Sequence, residues 1–161
     1  MSMIFGFDPI VDENSVVLIL GSMPSVRSLE KAEYYAHPQN RFWRVVFELT
    51  GETETSDYEE KKKILLRHGI ALWDTVGTCV REGSADSAIR EIEANDIRGL
   101  LRSYPKIKAV FTNGKKSEEV FKRHFPDLKF NYLPSTSPAN AAFSYKNLYR
   151  IWEKALKDSI I

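Results

Sequence analysis

Ser15 to Gly21 read SVVLILG, a short unbroken apolar run rich in β-branched residues and closed by glycine. A run of this kind is expected as a strand covered on both faces, and such strands belong to parallel sheets with helices packed above and below. IKAVFTNG, ending at Gly114, repeats the pattern, and LKFNYLP supplies a third strand. Between these runs the period is helical. NRFWRVVFELTG sets Phe42, Val45, Val46 and Leu49 on one face with Gly51 as a stop. DYEEKKKILLRHG carries acids in its first turn and bases in its last, which suits the helix macrodipole. IALWDTV is a short apolar segment, and SADSAIREIEANDIRGLLRSYP reads as one or two helical pieces broken near Asn95-Asp96. KKSEEVFKRHF and YKNLYRIWEKALKDSI are further helices. The alternation predicts an α/β protein, with residues 1–161 forming a single-domain three-layer α/β/α fold around a mainly parallel central sheet of about four strands.

Composition narrows the function classes. At 161 residues, 43% apolar and 28% charged, the chain has the makeup of a globular protein with one core. The single cysteine, Cys79, excludes an intramolecular disulfide framework and a Cys-rich metal cluster, and a reducing, cytoplasmic setting is expected. The N-terminal segment has no basic region followed by a long apolar one, and no stretch approaches the roughly 18 apolar residues of a membrane span. With 23 basic and 22 acidic side chains the formal charge is +1, so nucleic-acid binding requires local clustering of charge.

In parallel sheets ligands bind beyond the C-terminal ends of the strands. The connections expected there are distinctive: GSMPSVRSLEKAEYYAHPQNRFW after the first strand, TNGKKS after the second and LPSTSPANAAFSY after the third. The third carries Ser135, Thr136, Ser137 and Pro138, whose small side chains let hydroxyls and backbone N–H groups approach a phosphate. Basic residues gather near the same connections: Arg27, Lys31, Arg41, Arg44, Lys115, Lys116, Lys146 and Arg150. They form either a phosphate-binding rim or a set of solvated helix ends.

LGSMPS at a strand end, AHPQNRFW before a helix, FTNGK at a second strand end and the late LPSTSPAN loop together resemble the uracil-DNA glycosylase superfamily, in register from about Val16 to Trp152. AHPQNRFW looks most like the mismatch-specific uracil/thymine branch. SMPS, DSAIR and LPSTSPAN look most like the hypoxanthine-DNA (deoxyinosine) glycosylase branch. The resemblance implies a monofunctional DNA glycosylase of base excision repair. Such an enzyme hydrolyses the N-glycosidic bond of a deaminated base, hypoxanthine first among the candidates, and leaves an abasic site. It implies no metal and no cofactor, and its partner is damaged DNA, bound by a monomer without a membrane. The alternatives are uracil or thymine excision from mismatches, a catalytically silent DNA-binding module, and a hydrolase of free nucleosides.

Carried onto this chain, the resemblance makes Gly21, Ser22 and Met23 part of the base pocket. Met23 stands where the family has a polar residue that positions water, and a thioether is a weak acceptor and no base. The hypoxanthine branch shares that loss, which turns attention to Asn40. An amide orients a water or holds a base but takes no proton, and Asn40 is equally a good helix N-cap. Tyr35 matches the aromatic under the flipped-out base, and His37 is a candidate to polarise the base or the water, or else simply caps a turn. Asn113 either reads the base edge or forms an Asn-Gly turn. Ser135, Thr136, Ser137, Pro138, Asn140 and Lys115 are the expected DNA contacts. Asp74 and Asp86 sit at segment edges where a general base could hide, and Asp86 is also a candidate helix cap.

Overall fold

In the computed structural model, which describes residues 2–161, the chain begins β1 (Ile4–Phe5), β2 (Val17–Gly21), α1 (Val26–Lys31), α2 (Phe42–Thr50) and α3 (Tyr58–Arg67). It continues β3 (Ile70–Asp74), β4 (Val76–Val80), β5 (Arg90–Ala94), α4 (Ile97–Ser103), β6 (Ala109–Asn113), α5 (Lys115–His124), β7 (Asn131–Leu133) and α6 (Tyr145–Leu156). The SVVLILG run is β2, buried at every position. It pairs in parallel with β3 on one side and β6 on the other, and β6 pairs in parallel with β7. The central sheet therefore has the order β3-β2-β6-β7.

Successive strand residues point to opposite faces, and β2 divides accordingly. Val17 and Ile19 enter one core with Ile70, Leu72, Phe111 and Leu133, covered by residues of α2, α3 and α6. Leu18 and Leu20 enter the other with Ala71 and Val110, covered by Ile97 and Leu100 of α4 and Phe121 of α5. The expected α/β/α layers and four-stranded parallel sheet are present.

A second sheet was not foreseen. β1, β4 and β5 form an antiparallel group of order β1-β4-β5 beside the main one. The segment expected to be helical from Ser84 to Pro105 gives a single 3₁₀ turn (Asp86–Ala88), then β5, then α4. REIEA has alternating burial with Ile92 and Ala94 inward, the period of a half-buried edge strand, and its charges protect the open edge. Asp86 accordingly caps no α-helix; it opens the 3₁₀ turn after Ala85.

Trp152 of α6 is fully buried, packs edge-on against Phe42 of α2 at 6.1 Å and donates its indole N–H to the Pro134 carbonyl at 2.9 Å. It thus ties the end of β7 to the helical layer. Trp152→Ala should cost about 3–5 kcal/mol, read as a fall in Tm on the order of 10 °C by calorimetry.

Candidate active site

All four strands of the central sheet end on the same edge, and the order reverses between β2 and β6, so a crevice opens there. Gly21 ends β2 beside Asp74, its register partner on β3, while Asn113 ends β6 on the other side. A Cβ on Gly21 would lie 2.5 Å from Asp74 Oδ1 and 2.8 Å from the Tyr35 hydroxyl. Only glycine lets these two groups close over the strand. Above this row lies a cleft of about 820 Å³, lined by every residue named as a catalytic, base-binding or DNA-contacting candidate, whereas Lys31, Arg41, Arg44, Lys146 and Arg150 of the expected basic rim lie outside its lining.

Tyr35 forms the cleft's aromatic wall. Its ring stacks on Phe42 with centroids 4.2 Å apart and planes at 24°, and the residue lines the cleft. The backbone here has φ of +54°, a left-handed conformation that a tyrosine adopts only when its surroundings enforce it. The Tyr35 hydroxyl accepts a hydrogen bond from Asn113 Nδ2 at 3.1 Å. Burial, and after it the neighbouring Asp74 charge, hold the phenol well above its ordinary value, so it is a neutral donor. Asn113 also donates to Thr136 Oγ1 and accepts from the Thr136 N–H, both at 3.1 Å. Both amide protons of Asn113 are thus committed within the protein. Thr136 is fully buried and fastens the late loop to β6 from inside.

The AHPQNRFW segment folds as a tight turn into α2. His37 Nδ1 accepts from the Gln39 N–H at 3.1 Å, so a neutral imidazole carries its proton on Nε2. Asn40 Oδ1 accepts from the Phe42 N–H at 2.9 Å and satisfies one free donor of the first turn. Asn40 is thus not the expected N-cap, a position held by Arg41 without a side-chain cap, and among the described residues its Nδ2 has no partner, which leaves a donor available on a residue that lines the cleft. Arg41 then turns away from the cleft. Its guanidinium donates to the carbonyls of Phe143 (2.6 Å), Ser137 (3.0 Å) and Asn140 (3.2 Å), while its backbone N–H donates to the Thr136 carbonyl at 3.1 Å. A residue expected on the basic rim is therefore an internal clamp. Arg44 stacks on Tyr145 at 3.6 Å, and the cations that do line the cleft are Arg27, Lys115 and Lys116.

The late loop is wound on itself. Ser135 Oγ accepts from the Ser137 N–H, Ser137 Oγ from the Ala139 N–H, and Asn140 Nδ2 donates to the Ser135 carbonyl. Pro138 lies within these turns, on the cleft wall. Gly114, just before α5 and Lys115, has φ of +96° and passes so close to Ser135 that a Cβ would sit 3.1 Å from that side chain. The second and third connections are thereby held together.

The opposite wall comes from the segment around Asp86, which the sequence marks only as a segment edge and a candidate helix cap. Ser84 to Ser87 line the cleft, with Ser22 Oγ donating to Asp86 Oδ1 at 2.7 Å and the Val26 N–H donating to Ser84 Oγ at 2.9 Å. Only a helix was expected there, and a helix would not have curled over the first loop. Met23 is buried and packs with Val76, Cys79, Ile89 and Val120, so its thioether belongs to a small core beneath the cleft. No group of three or more His, Cys, Asp or Glu side chains is placed to hold a metal among the described residues. Nor, among them, is any helix long and apolar enough to cross a membrane.

Asp74 is the most perturbed carboxyl. It is 3% exposed, and burial, with the Asp86 charge adding and Arg81 opposing, pushes it up to about 7. The folded protein keeps this proton to about pH 7, whereas the unfolded chain releases it near 3.8, so Asp74 lowers stability as pH rises across that interval. Asp74→Asn should therefore raise Tm at pH 8 by roughly 5–10 °C, with the gain vanishing near pH 4. Arg41→Lys cannot reproduce the fork onto several carbonyls and should cost about 2 kcal/mol in urea unfolding, with faster proteolysis within residues 135–143.

Comparison with known proteins gives the family. A model of the Uracil DNA glycosylase superfamily matches residues 9–158. The chain is 41% identical over 158 residues to a Hypoxanthine DNA glycosylase of Methanosarcina acetivorans, covering 94% of this chain and 97% of that one. It is 42% identical over 156 residues to a protein of the same description from Methanosarcina barkeri, with the same coverage. A G/U mismatch-specific uracil DNA glycosylase of Schizosaccharomyces pombe is 29% identical over 127 residues, 73% of this chain and 37% of that protein. A solution NMR structure from Methanosarcina acetivorans, assigned provisionally to the uracil DNA glycosylases, superposes with a TM-score of 0.84 at 40% identity over 98% of each chain. On fold, on cleft and on these likenesses together, the chain belongs to the uracil DNA glycosylase superfamily.

Proposed function

We propose that this protein is a monofunctional DNA glycosylase that hydrolyses the bond between hypoxanthine and deoxyribose in DNA and leaves an abasic site. The observation that carries the reading is the convergence of the three strand-end connections on one cleft, with an aromatic face, a free amide donor and a hydroxyl-rich loop around it. The two Methanosarcina relatives, each matched over nearly their whole length, support the purine substrate. Uracil in mismatches is the weaker reading, because the relative so described is more distant and matched over little of its length.

A base inside a duplex stack is out of reach, so the nucleotide is extruded into the cleft at the cost of unstacking. Tyr35, backed by Phe42, receives the base on its free face, a contact worth about 1–3 kcal/mol and tolerant of base identity. Gly21, Ser22 and Met23 form the pocket beneath it, and Asn113 fixes the Tyr35 hydroxyl in place. Ser135, Ser137, Pro138 and Asn140, with Lys115, face the DNA backbone. Thr136 holds that loop from within. The C1′–N bond breaks toward an oxocarbenium-like sugar, which a weakly activated water captures. Asn40 Nδ2 orients that water or the base, and His37 Nε2–H supplies a further donor. Neither acts as a strong base.

The test is release of base from duplex oligonucleotides carrying one hypoxanthine or one uracil, read by alkaline cleavage at the abasic product. Hypoxanthine should be released faster than uracil. Asn40→Ala should reduce release by about 10²-fold or more while duplex binding persists. Intact binding with no release of either base would leave a silent DNA-binding module in place of the enzyme.

A further inference from the structure

None of the steps above uses Asp74, although it lies at the floor of the cleft. Its two oxygens differ. Oδ2 is sealed from solvent and has no hydrogen-bond partner among the described residues. Oδ1, the oxygen not sealed, lies over Gly21 near the Tyr35 hydroxyl, on a residue that lines the cleft. A carboxylate in this position would hide half its charge from both water and donors, a costly arrangement. A carboxylic acid would leave only a neutral carbonyl oxygen inside and carry its proton on the oxygen next to the bound base.

The surrounding groups favour the acid form. Asp86 adds a negative charge from the 3₁₀ turn, and no nearby phenol donates to Asp74 to offset it: the Tyr34 hydroxyl donates to the Asp8 carbonyl instead. Arg81, beyond β4, is the one opposing cation that acts on Asp74 directly; it donates Nη2 to the Pro24 carbonyl and does not bond Asp74. Lys115, Lys116 and Glu119 of α5 line the cleft, as do Arg27 and His37 of the first connection.

We propose that Asp74 is a general acid of the reaction, donating the proton on Oδ1 to the base as it departs. The inference rests on the glycosylase reading above. As the C1′–N bond breaks, its electron pair withdraws into the base, and the Asp74 proton passes to a ring nitrogen or carbonyl oxygen, so the base leaves neutral. Water then adds to C1′ of the oxocarbenium sugar, and its surplus proton returns to the Asp74 carboxylate or to solvent. A buried neutral carboxyl that donates to a developing negative charge is an established catalytic device.

Single-turnover release from a hypoxanthine duplex between pH 5.5 and 9 tests this, with wild type, Asp74→Asn and His37→Gln compared. Wild type should be level at low pH and lose rate about tenfold per unit once Asp74 titrates. Asp74→Asn, which keeps the shape and a donor but transfers no proton, should be slower by about 10²-fold at pH 6 and lack that limb. His37→Gln should keep it. Unchanged affinity of Asp74→Asn for a duplex containing a stable abasic-site analogue shows that the fold and the DNA face are intact. A wild-type rate that rises through the same interval would make Asp74 a base acting on water and overturn the proposal, as would a limb that survives in Asp74→Asn. No release by wild type at any pH would overturn the glycosylase reading itself, and this inference with it.

Discussion

The site depends on one side chain that never faces it. The Arg41 guanidinium is enclosed by the carbonyls of the loop from Ser135 to Phe143, and its own N–H caps Thr136 from the other direction. Loop carbonyls left without donors would need water or would refold the loop. A single planar fork satisfies several at once in fixed directions, which a flexible ammonium holds less firmly. Because Arg41 directly follows Asn40 and precedes the Phe42 on which Tyr35 stacks, the same anchor places the amide, the aromatic face and the hydroxyl-rich loop relative to one another.

A second lock acts from the sheet. Asn113 spends its amide on Tyr35 and Thr136, so the end of β6 holds both loops at fixed height over Gly21. Preorganisation of this kind comes from groups that hold the contacting residues in place. It also accounts for the left-handed Tyr35 backbone: stacking on Phe42 and the bond from Asn113 offset the strain of that conformation.

β2 and β6 are legible because each is a buried apolar run ended by glycine or polar residues, whereas β7 is mostly exposed and IALWDTV reads only as a short apolar segment. The antiparallel group is not legible, because REIEA alternates over only five residues beside a helix-like stretch, and local period cannot arbitrate at that length. In the site, the residues lining the cleft could be named from their motifs. Their partners could not. Arg41 looks like any surface base in a string of letters, and only the return of a loop about a hundred residues later makes it an internal cation. Asp74 was noticed at a segment edge, but the lack of a partner for one of its oxygens is a property of packing, invisible without the fold.

The two arms of the Arg41 clamp are far apart along the chain, and Trp152 seals the same region from α6 still later. Contacts of such separation form only after most of the loop-closure entropy has been met. A folding chain therefore lacks a working cleft until segments about a hundred residues apart have met. Until those distant segments meet, the loops around the cleft lack their anchors, so the site is completed only together with the fold.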